Sequence, residues 1–100
     1  MFNSSNQPWQ SIEDDVLLEE SVGEICELLV YNDDYNTFDW VIECFIDVCK
    51  HSPEQAEQLS LLVHFKGKAI VKTAPFDVLH PMKDALCERG LSAVIEGIKV

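Results

Sequence analysis

An apolar run that halts abruptly constrains this chain more than any other feature. From Ile25 to Tyr31 only Glu27 interrupts it, and it stops at Asn32-Asp33-Asp34-Tyr35-Asn36, where two carboxylates and two amides fall within five positions beside Phe38 and Trp40. Asn36 offers an N-cap acceptor, and Asp39 three residues on can reach back to it while favouring the positive end of a helix dipole. The stretch therefore reads as a polar turn that opens a helix, with the mixture of groups a small binding site uses.

Downstream, Val41, Ile42, Phe45, Val48 and Cys49 recur as one wide apolar stripe, with Asp39, Glu43, Asp47 and Lys50 off it, which predicts an amphipathic helix with a buried face. Ser52-Pro53-Glu54-Gln55 is a cleaner start signal, with Ser as N-cap, Pro at the first helical position and Gln at the third. That second helix runs to His64 or Phe65 and is stopped by Gly67. Lys68, Ile70 and Lys72 then alternate with Ala69, Val71 and Thr73, the period of a strand with one wet face. Pro75 opens a third helix that turns Val78, Leu79, Met82, Ala85 and Leu86 inward and ends at Gly90. Pro81 within it removes a backbone donor and predicts a kink, or a start nearer Pro81. Leu91 to Val100 is rich in β-formers and reads as a last strand. Upstream the reading stays open, because Leu18, Val22, Ile25 and Leu29 fall at helical spacing while Gly23 weakens that pattern.

Length and charge narrow the function classes. One hundred residues, 47% of them apolar, suffice for one domain with a modest core. Acidic residues outnumber basic ones 18 to 7, for a formal charge of −11, so phosphate backbones and anionic lipid are poor partners. The first 24 residues hold six acids and no Lys or Arg. Residues 1–11 are rich in Ser, Asn and Gln, a composition that buries little. Cys26, Cys44, Cys49 and Cys87 form no C-x-x-C pair and sit among apolar neighbours, the pattern of buried free thiols in a reducing cytosol rather than of disulfides or zinc. No apolar stretch approaches the ~20 residues of a membrane span, and the N-terminal residues show no basic n-region. A cytoplasmic protein is expected. His51, His64 and His80 lack partners at metal-ligand spacing, and no Gly-rich phosphate loop is present. Neither a catalytic constellation nor a cofactor is expected, and the chain reads as a non-enzyme.

Two blocks carry a family resemblance. Val30-Tyr31-Asn32-Asp33-Asp34-Tyr35, followed by an apolar helix, and Ala56-Glu57-Gln58-Leu59 leading into Val63-His64-Phe65-Lys66-Gly67-Lys68-Ala69 resemble ClpS, the bacterial adaptor that hands N-degron substrates to a Clp protease. The resemblance covers roughly residues 25–100. It implies that Ile25–Tyr31 is a strand and that the order is β-α-α-β-α-β. The expected fold class is thus α+β, one small domain over 24–100 with a mostly antiparallel three-stranded sheet and three helices on one face. Residues 1–23 are expected to be a flexible acidic extension. The third helix and its loop are about six residues shorter than the family leads one to expect, so correspondences beyond Thr73 rest on less.

The chemistry of the blocks fits a ligand with a free amine. An α-ammonium group presents three N–H donors and a positive charge, so its site needs a carboxylate and neutral acceptors beside an apolar hole for the first side chain. Asn32, Asp34 and His64 can supply the acceptors. The resemblance implies that they hold the substrate's α-amino group, with Asp33 in the same cluster. It also maps the side-chain pocket to Val30, Tyr31, Asn36, Phe38, Val41, Ser60, Val63 and Leu91. The family commonly has Met where Phe38 and Ser60 stand, and Thr-Pro in place of Asn36-Thr37. Ser60 enlarges or wets the hole and relaxes the exclusion of β-branched residues, while Phe38 narrows the entrance. The implied ligands begin with Phe, Leu, Tyr or Trp. The implied partner is the N-terminal domain of a ClpA-like or ClpC-like AAA+ unfoldase, docked by a monomer through third-helix residues such as Asp77 and Lys83. Taken without the resemblance, Asn-Asp-Asp between strand and helix also suits a turn that satisfies its own backbone, and His64 suits a helix C-terminus. A protein interaction module without amine recognition is the competing reading, with a small acyl- or phosphate-handling enzyme behind it.

Overall fold

Seven residues, Ile25–Tyr31, form the central strand β1 of a computed structural model that describes residues 24–98. The extension foreseen over 1–23 lies outside the described residues, as do 99 and 100. β1 is followed by α1 (Phe38–Asp47), α2 (Pro53–Lys66), β2 (Lys68–Pro75), α3 (Phe76–Glu88) and β3 (Ser92–Gly97). The sheet order is β2–β1–β3, with both pairings antiparallel. This is the α+β order expected from the sequence.

β1 takes the middle because it is the strand that can be buried on both faces. Cys26, Leu28 and Val30 point into the core, where Cys44 and Phe45 of α1, Ala56 and Val63 of α2, and Leu79 and Leu86 of α3 close over them. Leu29, on the opposite face, is also only 4% exposed. Its cross-strand neighbours are Ile70 and Val94, so three apolar side chains lie in a row across the outer side of the sheet.

A β-bulge corrects the expected alternation of β2. Leu28 pairs with Lys72 and Leu29 with Ile70, which leaves Val71 as the extra residue. After the bulge the inward positions shift by one, so Ala74 rather than Thr73 packs against the core and Lys72 is half-buried. Of the expected stripe, Phe45 in α1 and Cys49 just past its end are buried and Val41, Ile42 and Val48 are half-buried, while Cys44, not foreseen, is buried beside Phe45. Thr37, not Asn36, caps that helix: its hydroxyl accepts from Trp40 N at 3.1 Å. The capping-box role expected of Asp39 is therefore replaced.

α2 starts and stops where its signals stand. Ser52 Oγ accepts from Gln55 N, Pro53 occupies the first turn, and Gly67 adopts φ 91° at the C-terminus. α3 begins at Phe76 and runs through Pro81, so the later start near Pro81 does not occur. It closes in a Schellman arrangement, with Gly90 at φ 95°, Gly90 N donating to Cys87 O and Leu91 N to Leu86 O. Of α3's expected inward residues, Leu79 and Leu86 are buried, whereas Val78 is exposed. Three of the four cysteines are buried free thiols; Cys87 is exposed, a departure from the expected pattern.

Candidate functional site

The joint between β1 and α1 is held by hydrogen bonds that all originate in its own polar residues. Asp33 Oδ1 accepts from the backbone N–H groups of Tyr35 and Asn36, and its Oδ2 accepts from Asn36 Nδ2, each at 2.8 Å. Partial burial opposes ionisation of this carboxyl, but the donors from Asn36 and Tyr35 outweigh it and hold the group below its ordinary value. Asp33 is thus the keystone of an Asx-type turn. Its oxygens are engaged within the loop, unlike those of the neighbouring Asp34.

The same loop is tied to two distant corners. Asn36 Nδ2 also donates to Gly90 O at 2.9 Å, and Trp40 Nε1 donates to Arg89 O at 3.1 Å. Arg89 in turn pairs with Asp47 at 3.2 Å. On the other side Asn32 N donates to Gly67 O at 2.9 Å, which fastens the end of β1 to the end of α2. These tethers set the distance between the loop and the last turn of α2, where His64 stands.

A hollow of about 210 Å³ opens at this junction. At roughly 30 Å³ per water, it has room for about seven waters, the scale of one large side chain. Asn32, Asp33, Asp34 and His64 stand at its polar side; Asn36, Phe38, Val41, Ser60 and Val63 form the rest of the lining. Helical spacing explains why these residues meet. Phe38 and Val41 lie three apart on α1, while Ser60, Val63 and His64 fall at i, i+3 and i+4 on α2. Two helices packed side by side therefore present one stripe each to a common hole.

Burial grades along that hole. His64, Asn32 and Asp34 are exposed at the mouth, Val41 is half-buried, and Val63 and Ser60 are buried. Among the described residues the side chains of Asn32, Asp34 and His64 make no hydrogen bond or salt bridge, though the His64 ring meets that of Phe65 edge-on at 4.8 Å. The mouth thus carries a carboxylate, an amide and an imidazole with acceptor capacity to spare.

Three residues mapped to the pocket from the sequence do not line it. Val30 is 1% exposed and Leu91 4%, and both belong to the hydrophobic core. Tyr31 packs beneath Lys68, whose Nζ sits 5.6 Å from the ring centroid. The physical reason is strand alternation: Val30 faces the helices and Tyr31 the opposite side, so neither reaches the loop-side opening. Asp77 and Lys83 lie on α3, away from the hollow. Six positions apart, they point about 120° from one another around that helix.

The remaining candidate groups are engaged elsewhere. His51 Nε2 donates to Val71 O at 2.6 Å, and His80 stacks on Phe76 at 5.3 Å. Burial pushes the Cys44 thiol up and carries that of Cys49 to about 11, so neither is a thiolate at neutral pH. No three His, Cys, Asp or Glu side chains gather at metal-binding distance among the described residues. Among the described residues, each that lines the hollow is one the sequence singles out, but its supports are not: the Thr37 cap and the carbonyls of Gly67, Arg89 and Gly90. Backbone acceptors leave no signal in residue type.

The family described as "ATP-dependent Clp protease adaptor protein ClpS" matches residues 24–94. The adapter protein ClpS of Oleidesulfovibrio alaskensis is 46% identical over 55 residues, 53% of either chain. That of Nitratidesulfovibrio vulgaris is 36% identical over 55 residues, 53% of this chain and 55% of its own. The chain spans about half the length of these curated relatives. Among solved structures, that of Agrobacterium tumefaciens ClpS2 bound to L-phenylalaninamide aligns with TM-score 0.69 and 21% identity, over 75% of this chain and 98% of that one.

Proposed function

This chain belongs to the ClpS family of Clp protease adaptor proteins, and from that premise we propose that the hollow between α1 and α2 binds the first residue of a peptide with a free N-terminus. The observation that carries this reading is the pairing of a side-chain-sized hole, walled in part by Phe38, Val41 and Val63, with Asn32, Asp34 and His64 at its mouth. Asp34 supplies the countercharge to the α-ammonium, and Asn32 and His64 accept its remaining N–H groups. Asp33 acts indirectly, by holding the loop. The hole takes Phe, Leu, Tyr or Trp, whose burial contributes roughly 1.5 to 3 kcal/mol. The ligand of the Agrobacterium relative, an aromatic residue with a free amine, is consistent with this chemistry.

An amine that is acetylated or internal to a chain has lost its charge and donors, which leaves the acceptors unpaired. We further propose delivery to a Clp-class AAA+ unfoldase, which family membership supports, with the acidic residues 1–23 serving handover and the domain acting as a monomer without cofactor. Fluorescence anisotropy with a Phe-initiated peptide and its acetylated copy tests the site. The free amine is expected to bind at least tenfold more tightly, and Asp34→Ala to weaken it by about 10- to 100-fold, the span of a charge-assisted hydrogen bond. Equal affinities for the two peptides discard amine recognition. An Asp34→Ala chain that keeps its partners unchanged favours a face-to-face interaction module instead.

A further inference from the structure

At the inner end of the hollow stands a polar atom with nothing to bond to. Ser60 is 2% exposed, lines the hollow, and its hydroxyl has no hydrogen-bond partner among the described residues. A serine inside a helix ordinarily returns its proton to the carbonyl one turn back; Ser60 does not, although Ala56 stands there in α2. Buried polar groups are rarely left unmatched, and one on a residue that lines a cavity calls for an explanation. The other polar group inside, Asn36, already spends both amide protons on Asp33 and Gly90.

Position strengthens the point. Ser60 and His64 both line the hollow and stand four residues apart on one face of α2, so their Cβ atoms are separated by roughly 5–6 Å. A ligand whose α-amine lies at His64 therefore brings the far end of its first side chain near Ser60. The span from the α-carbon to the para position of an aromatic ring is comparable. Leu and Phe present only carbon there, and they bury the hydroxyl without a partner. The phenol of tyrosine can donate to Ser60 Oγ or accept from it.

Resting on the amine-binding reading above, we infer that Ser60 is a specificity-determining residue that makes tyrosine the preferred first residue of the ligand. Four labelled peptides that differ only at the first position decide this with the full chain by anisotropy: Tyr, Phe, 4-methylphenylalanine, and N-acetylated Tyr. The expected Tyr-to-Phe preference is about tenfold, the scale of one buried hydrogen bond between neutral groups. 4-Methylphenylalanine matches tyrosine in length without its hydroxyl, and is expected to bind no better than Phe. In Ser60→Ala the Tyr-to-Phe ratio falls to about one, and because it is a ratio, a general loss of stability does not imitate that result. A ratio near one in the unmodified chain, a preference for 4-methylphenylalanine equal to that for Tyr, or a preference that survives Ser60→Ala overturns the inference. The acetylated peptide keeps the two ideas apart. If it binds as well as free Tyr, the amine site fails; if it does not and the ratio is still near one, only the role of Ser60 fails.

Discussion

Asp33 and Asp34 are adjacent and chemically identical, yet the fold assigns them different work. Asp33 turns inward and accepts three hydrogen bonds from its own loop. Asp34 stays exposed at the mouth of the hollow. The difference yields a pH prediction for Asp33. Its folded value is held below the ordinary one, so its contribution to stability is fully present above the unfolded value of about 3.9 and is lost as pH falls through the lower folded value. The stability advantage of the natural chain over Asp33→Ala is therefore expected to be constant near neutrality and to shrink steadily below about pH 4. Urea unfolding of both chains at a series of pH values measures it. An advantage unchanged into strong acid would show that the turn does not depend on the carboxylate charge.

At the scale of elements, caps and glycines decide where each helix points. Thr37 satisfies Trp40 N, and this frees Asn36 to bridge Asp33 to Gly90. Residue type alone favours Asn36, since asparagine ranks at or slightly above threonine as a cap. The Asx turn at Asp33 settles the choice by consuming the Asn36 side chain. Thr37→Ala is expected to cost about 1 kcal/mol, read from the shift of the urea midpoint at constant slope. A negligible shift would return the capping role to a neighbour. The bulge in β2 belongs to this scale too. Simple alternation places Thr73 inside, but one extra residue at Val71 transfers the inward position to Ala74.

At the scale of the molecule, the folded unit and the acidic segment before it are proposed to divide the labour of an adaptor. Among the described residues, those that line the hollow lie between Asn32 and His64, and peptide capture is proposed to need none of the first 23. Deleting residues 1–20 is expected to leave affinity for a Phe-initiated peptide within twofold while slowing degradation of a Phe-initiated reporter by a reconstituted Clp protease. Reporter turnover at the full rate after that deletion would remove the handover role. Docking through Asp77 and Lys83 would require an unfoldase surface that wraps α3, because the two residues diverge around the helix.

Much of this architecture was legible in the chain itself. The runs 53–66 and 68–75 carry their own start, stop or alternation signals, and local rules of that kind need only neighbours a few residues away, whereas periodicity left 25–31 open and the family resemblance made it a strand. Asn32, Asp34 and His64 could be singled out by type and by family resemblance. Their common opening could not, since it depends on α1 and α2 packing side by side and on the carbonyls of Gly67, Arg89 and Gly90 catching the loop. Tertiary structure also excluded Val30, Tyr31 and Leu91 from the lining, through strand direction and core burial. It left the Ser60 hydroxyl without a partner. Spacing along one helix is a local property, whereas the presence or absence of a partner depends on what the whole chain brings within bonding distance.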